Sequence, residues 1–316
     1  MLAFVGVRAV TRPWNAMRVM SYHGAAVPDK PATTLAVASV GYLLPVGDFA
    51  CVVHSVFARA VNFARAGALL TLASPQAGDA PTTMVLRHGP AQDLRKLFEV
   101  GSVARCRDRN LRSARVVVRL DVARLWRPLP RRDRLARNQV DDHLRVAADR
   151  LALKRQTCQS VISGPAATRT VALAQACLDL DRDRAVALAS SLIGWGEGLT
   201  PAGDDFLVGF LAGLDALADD AARRHFRDEL GLAIAARAGR TTEVAAHFLR
   251  LAARGHYADV LDRLRGALLC AHRCALVERT LQRAFDVGAT SGADMVSGLL
   301  TGLKAWLPIE TSLAQQ

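Results

Sequence analysis

The sequence predicts an α+β fold in which the two kinds of secondary structure occupy separate regions: an N-terminal β-rich, barrel-like domain, then an all-helical domain. Three observations predict it. From Thr34 to about Pro130, short β-branched runs alternate with turn compositions. Beyond that point apolar residues recur at three- and four-residue spacing. Between the two, "DVARLWRPLPRRDR" joins two prolines to a charge run, which marks a boundary near Pro130. The expected domains are a poorly ordered extension over 1–33, a β-rich domain over 34–133 and a helical domain over 134–316.

The expected strands are "TLAVASVGYLL", "FACVVHSVFARAVNF", "GALLTLAS", "TTMVLRH" and "ARVVVRLDV". "PVGD", "ARAG", "SPQAGDAP" and "GPAQD" separate them as turns, and such short, evenly spaced strands suit a small barrel or curled sheet. The expected helices are Asn138–Arg155, Ala166–Leu178, Asp183–Leu192, Pro201–Ala218, Ala221–Ala238, Glu243–Arg254, Tyr257–Ala267, Cys270–Phe285 and Asp294–Leu307.

Bulk properties exclude several function classes. At 316 residues, 51% hydrophobic and 22% charged, the chain has the composition of a soluble globular protein with a sizeable core. No apolar run reaches the length of a membrane span; Asp215 and Lys304 interrupt the two best candidates. The short apolar piece "LAFVGV" is too weak for a secretory signal, so a cytoplasmic location is expected. A net charge of +12 suits an anionic partner, yet all but four of the 41 basic residues are arginine, the bias of a GC-rich bacterial genome. The arginine clusters at 105–115 and 131–137 are interleaved with aspartates and lack alternating aromatics, which argues against nucleic acid. Of six scattered cysteines only "CAHRC" (Cys270–Cys274) has ligand-like spacing. On one helix His272 would point away from both sulfurs, so buried, reduced thiols are expected.

One internal match carries the chemistry. "AGDDFLVGFLAGL" (Ala202–Leu214) and "SGADMVSGLLTGL" (Ser291–Leu303) align without gaps, pairing Gly203 with Gly292, Asp205 with Asp294, Gly209 with Gly298 and Gly213 with Gly302. Each copy opens as a helix start. Thr200 and Pro201 suit the cap and first turn, Ser291 and Asp294 resemble a capping box, and first-turn carboxylates complement the helix dipole by about 0.3–1 kcal/mol each. That reading leaves the glycines unexplained, since each costs about 1 kcal/mol in a helix interior. Close backbone approach accounts for them, and two helices meeting along these stripes would bring Asp205 and Asp294 together.

Two adjacent helix starts offer backbone N–H groups to a phosphate or carboxylate. Asp204, Asp205 and Asp294 would repel that anion unless they hold Mg²⁺ or accept hydrogen bonds from an amide or carbamoyl NH₂; sequence leaves both open, beside a purely structural cap cluster. Thr241 and Thr242 in "GRTTEV" read first as helix caps and second as ligand contacts. Asn62 suits an amide ligand or a turn, and Glu197 an exposed loop or a base. His54 and Ser55 have no evident acid partner, which argues against a hydrolase triad. No nucleotide loop or haem motif is present, because "GWGEG" lacks both the Walker lysine and the dinucleotide spacing.

"GWGEGLTPAGDDFLVGFLAGL" with "GATSGADMVSGLLTGL" resembles the paired signature of the AllH family, which includes a subunit of oxamate carbamoyltransferase. "HSVFARAVNF" and "RTTEVAAHFLRLAARGHY" resemble its intermediate blocks, and the likeness runs from about Leu35 to Trp306. The resemblance implies phosphorolysis of oxalurate to oxamate and carbamoyl phosphate with companion subunits. It also implies binding roles for Gly198, Thr200, Gly203, Thr290, Ser291 and Gly292, and catalytic roles for Asp204, Asp205 and Asp294. Glu197 and Ala202 stand where the family pattern has proline and serine, which leaves the substrate open. The leading expectation is an enzyme component taking a small anionic carbamoyl, ureido or amide substrate and phosphate. A non-catalytic scaffold subunit comes second and a basic nucleic-acid-binding protein third.

Overall fold

A computed structural model describes residues 33–89, 93–128, 130, 133–157 and 165–307. The extension expected over 1–33 therefore lies outside the described residues except for Thr33, and Cys158 lies outside them too.

Nine strands precede nine helices among the described residues. The strands are β1 (Thr33–Gly41), β2 (Phe49–Val56), β3 (Ala60–Arg65), β4 (Ala68–Ala73), β5 (Thr83–Leu86), β6 (Val103–Arg107), β7 (Asn110–Arg112), β8 (Val116–Arg119) and β9 (Arg124–Trp126). They pair in the order β5-β4-β3-β2-β6-β7-β8-β1, and an antiparallel β1–β5 pairing closes eight of them into a barrel. β9 adds to the far end of β1, in parallel. Inside lie Val37, Val53, Phe63, Leu70, Leu72, Met84, Leu111 and Val118. The alternation is plain on β2, where Phe49, Cys51 and Val53 are buried and Ala50 is exposed.

Four strands departed from expectation. "FACVVHSVFARAVNF" is a hairpin of β2 and β3, because Phe57 donates its N–H to Ala60 O at 2.8 Å and turns the chain. β6 was missed because its inward positions are small (Ala104, Cys106) and β7 because it is only three residues long, and their turn is Asp108–Arg109. Both turn residues have positive φ, 47° and 59°, without the glycine that advertises such a turn. The three-residue β9 falls inside the expected boundary segment.

The helices are α1 (Arg137–Thr157), α2 (Pro165–Leu178), α3 (Arg182–Leu192), α4 (Ala202–Leu217), α5 (Ala221–Arg237), α6 (Glu243–Ala253), α7 (Asp259–Cys270), α8 (Cys274–Phe285) and α9 (Ser291–Trp306). The "CAHRC" segment is the joint between α7 and α8 rather than the start of one helix. No helix among the described residues is long and apolar enough to cross a membrane.

At the centre α4 packs on α9, glycine against backbone. A Cβ on Gly209 would sit 1.9 Å from Met295 O, and one on Gly298 would sit 1.9 Å from Phe206 O. Gly213 faces Leu299 O at 2.6 Å and Gly302 faces Phe210 O at 2.3 Å. Partners advance together along both helices, so α4 and α9 are parallel and their starts share one end. The repeat extends backwards as well. Gly203 abuts Leu192 O at the end of α3, and Gly292 abuts Ala284 O near the end of α8, so each copy is a helix, a loop and a glycine-notched helix.

The barrel rests on α6 and the start of α7. His247 is buried; its Nδ1 accepts the Leu69 N–H at 3.3 Å and its Nε2 meets the Thr82 hydroxyl at 3.0 Å. Burial, then the charge of Arg250, lowers its pKa to about 4, so the ring is neutral and carries its proton on Nε2. Trp126 Nε1 donates to Asp259 at 3.1 Å, and the Asp259 N–H donates to Asp79 O at 2.9 Å. These contacts bring the outer face of β3 and β4 against the start of α6.

Candidate functional site

The loop before α4 is set by glycine. Gly194, Gly196 and Gly198 have φ of 73°, 112° and 93°, a region other residues rarely adopt. The resulting coil returns Gly203 N–H to Trp195 O at 2.8 Å and leads the chain into α4 through Pro201. Asp204 clasps this coil. Its Oδ1 accepts the Gly194 N–H at 3.0 Å, and its Oδ2 accepts the Thr241 hydroxyl at 2.5 Å.

Thr241 and Thr242 have separate tasks. Thr242 caps α6 by accepting the Ala245 N–H at 3.1 Å, and its own hydroxyl donates to Leu199 O at 2.6 Å. Thr241 closes the short 3-10 turn Ala238–Arg240 with its backbone N–H, and its side chain holds Asp204. The segment ahead of α6 thus braces the glycine loop at two points.

Asp205 lies one residue deeper, 7% exposed, beside the fully buried Asp294 of α9. Above them the Thr200 and Ser291 hydroxyls meet at 2.9 Å, joining the two helix starts. Asp205 Oδ2 is buried with no hydrogen-bond partner among the described residues. Burial raises the Asp205 carboxyl well above the usual carboxylate range; the facing Ser291 and Thr200 hydroxyls pull it down, while the Asp294 and Asp204 charges push it further up. Burial also raises Asp204, against the lowering by Thr241 and Gly194. Asp205 is therefore a neutral acid over a range where exposed aspartates are ionised.

The remaining expected residues divide in two. Gly198 is exposed at the mouth with open space around it, and Thr290 and Ser291 are half-buried there. Gly203 and Gly292 are packing residues in this structure, their N–H groups given to Trp195 O and Val287 O at 2.8 and 2.9 Å. Among the described residues no group of three or more His, Cys, Asp or Glu is arranged to hold a metal. Glu197 is exposed on the loop, and Ala202 is buried against Gly196.

Asn62 sits on the barrel's outer face, buried and bonded at both ends of its amide: Oδ1 accepts from Thr71 at 2.8 Å and Nδ2 donates to Ser55 at 3.0 Å. The expectation that His54 and Ser55 lack an acid is corrected here. Glu243, the first residue of α6, ion-pairs with His54 Nε2, while His54 Nδ1 meets Ser55 Oγ at 3.2 Å. The acid lies 189 residues away in sequence, where no local pattern reveals it. Arg155 of α1 was also missed; it reaches Ser297 Oγ at 2.7 Å, near the start of α9.

A small closed barrel is docked on a helical domain, with a buried acid under two joined helix starts. The family comparison covers both parts: residues 34–125 match the AllH family N-terminal domain, and residues 192–303 match the family described as oxamate carbamoyltransferase subunit AllH. The chain belongs to the AllH family. Searches of curated proteins and of solved structures return no significant match.

Proposed function

We propose that this chain binds a small carbamoyl, ureido or amide substrate together with phosphate at the paired starts of α4 and α9, as a subunit of a carbamoyltransferase-type complex acting on an oxalurate- or oxamate-like compound. The observation that carries this reading is Asp205. A buried carboxyl whose free oxygen is unpartnered and whose pKa is raised is a neutral acid, with one O–H donor and one C=O acceptor. A primary amide or carbamoyl group presents the complementary pair, an N–H donor and a C=O acceptor. Phosphate fits the mouth above, between Gly198, Thr200, Thr290 and Ser291, where two helix dipoles point outward.

Mg²⁺ is the weaker occupant on the donor chemistry. Both oxygens of Asp204 already accept hydrogen bonds, and Mg²⁺ favours ionised oxygens, whereas burial raises the Asp205 carboxyl above the usual carboxylate range. The family description, that of a subunit, supports companion chains.

Titration calorimetry of the purified chain with oxamate and inorganic phosphate tests the reading. Asp205→Leu weakens oxamate binding by about tenfold or more, because it removes donor and acceptor together, whereas Asp205→Asn, whose amide keeps an N–H donor beside a C=O acceptor, retains most of the affinity. Added Mg²⁺ leaves the wild-type affinity unchanged. Equal oxamate affinity in wild type and Asp205→Leu would overturn the assignment.

A further inference from the structure

The barrel contributes a second piece of chemistry. On a regular strand His54 and Ser55 would face opposite sides. A bulge in the β2–β3 pairing between Val53 and Ser55 turns both to the outer face, toward the start of α6. Hydrogen bonds there run in one direction. The Thr71 hydroxyl donates to Asn62 Oδ1, and Asn62 Nδ2 donates to Ser55 Oγ. With Glu243 accepting the proton of His54 Nε2, His54 Nδ1 is left as an acceptor, and the Ser55 hydroxyl is its donor. Asn62, buried and bonded at both ends, holds Ser55 in this orientation. Ser55 and His54 are half-buried at the junction with α6.

This relay adjoins the site at the helix starts. Thr241, Thr242 and Glu243 are consecutive, and they hold Asp204, the Leu199 carbonyl and His54 in turn. The residue bracing Asp204 and the one bracing His54 thus lie within about 7 Å along the chain.

We propose that Ser55 is a nucleophile, with His54 its general base and Glu243 a positioning residue, and that it accepts the carbamoyl group of a ureido or amide substrate. The substrate class rests on the function proposed above; the relay itself does not. Ser55 Oγ bonds to the carbamoyl carbon as its proton passes to His54 Nδ1. The carbon–nitrogen bond breaks, and the departing nitrogen takes the electron pair and that proton. A phosphate oxygen then attacks the carbamoyl carbon; the bond to Oγ breaks, and the phosphate's proton returns through His54 to Ser55. Nucleophile, base and acid partner at hydrogen-bonding distance are the arrangement on which such double displacement depends.

A fluorophosphonate probe tests the relay without companion subunits, read by intact mass and peptide mapping on the folded full chain. The expected result is one adduct, on Ser55, absent in Ser55→Ala. Labelling slows on the order of 10²-fold or more in His54→Gln. Glu243→Gln slows it as well, while Glu243→Asp recovers part of the rate, which a merely structural ion pair would not do. No adduct on Ser55, or an unchanged rate in His54→Gln, overturns the proposal. The two readings fail separately: an unlabelled Ser55 in a chain that still binds oxamate through Asp205 removes the relay alone. A labelled Ser55 in a chain that binds no oxamate removes the substrate assignment alone.

Discussion

The two ends of α4 treat their carboxylates in opposite ways. At the C-terminal end Asp215 meets two arginines, Arg227 Nε at 3.2 Å and Arg265 at 3.4 Å. Arg227 is itself buried, giving further hydrogen bonds to Ala252 O, Ala253 O and the Tyr257 hydroxyl. At the N-terminal end neither Asp204 nor Asp205 forms an ion pair among the described residues, and hydroxyls and a backbone N–H stand where arginines could have been. One end neutralises charge for the sake of the fold. The other leaves a buried carboxyl with one oxygen unpartnered among the described residues and its pKa raised by burial.

That contrast can be broken experimentally. The largest stability loss is expected for Arg227→Met, about 3–5 kcal/mol in urea unfolding, because it removes one of Asp215's two arginines and leaves the buried Ala252 and Ala253 carbonyls without that donor. Next comes Gly209→Ala. Its methyl would meet Met295 O, so α4 and α9 must part; overpacking of this kind costs about 1–3 kcal/mol and outweighs the gain in helix propensity. Oxamate binding should weaken in parallel, since the two helix starts move apart, and a stabilised Gly209→Ala would refute the backbone packing. Thr241→Val should cost about 1 kcal/mol by removing one hydrogen bond to Asp204.

The smallest effect on stability, and the one of opposite sign, belongs to Asp205→Asn. The folded pKa of Asp205 is raised above its unfolded value, so the folded state binds the extra proton. Its stabilising contribution is complete below the unfolded pKa and is lost as pH rises through the folded one. Asp205→Asn should therefore flatten that decline from about pH 4 upward, and be equal to or more stable than wild type at neutral pH. Unfolding curves at several pH values check the sign. A mutant that is less stable at neutral pH would place Asp205 with Asp215 as a structural residue.

Most of the helical half was legible because its signals are local. Apolar spacing located all nine helices to within a few residues, apart from the α7–α8 joint, where "CAHRC" keeps helical composition while Ala271 leaves the helix with ψ 131°. The repeated glycines at 209, 213, 298 and 302 pointed correctly to backbone contact. The barrel was less legible. A turn without glycine hid β6 and β7, and the closing β1–β5 pairing joins residues about 45 positions apart with no local trace.

The sequence by itself determined the segregated α+β architecture, the glycine-notched pair of helices and the carboxylates at their mouths, since periodicity and helix-start chemistry are read within a few residues. Only the tertiary structure decided how those carboxylates differ: Asp204 is tied to Gly194 and Thr241, and Asp205 is left with one buried oxygen unpartnered and its pKa raised by burial. It alone brought Glu243 to His54 and Ser55 across the domain junction. Burial, pKa and long-range hydrogen bonding depend on what packs around a group, and those neighbours come from chain segments that meet only once folding is complete.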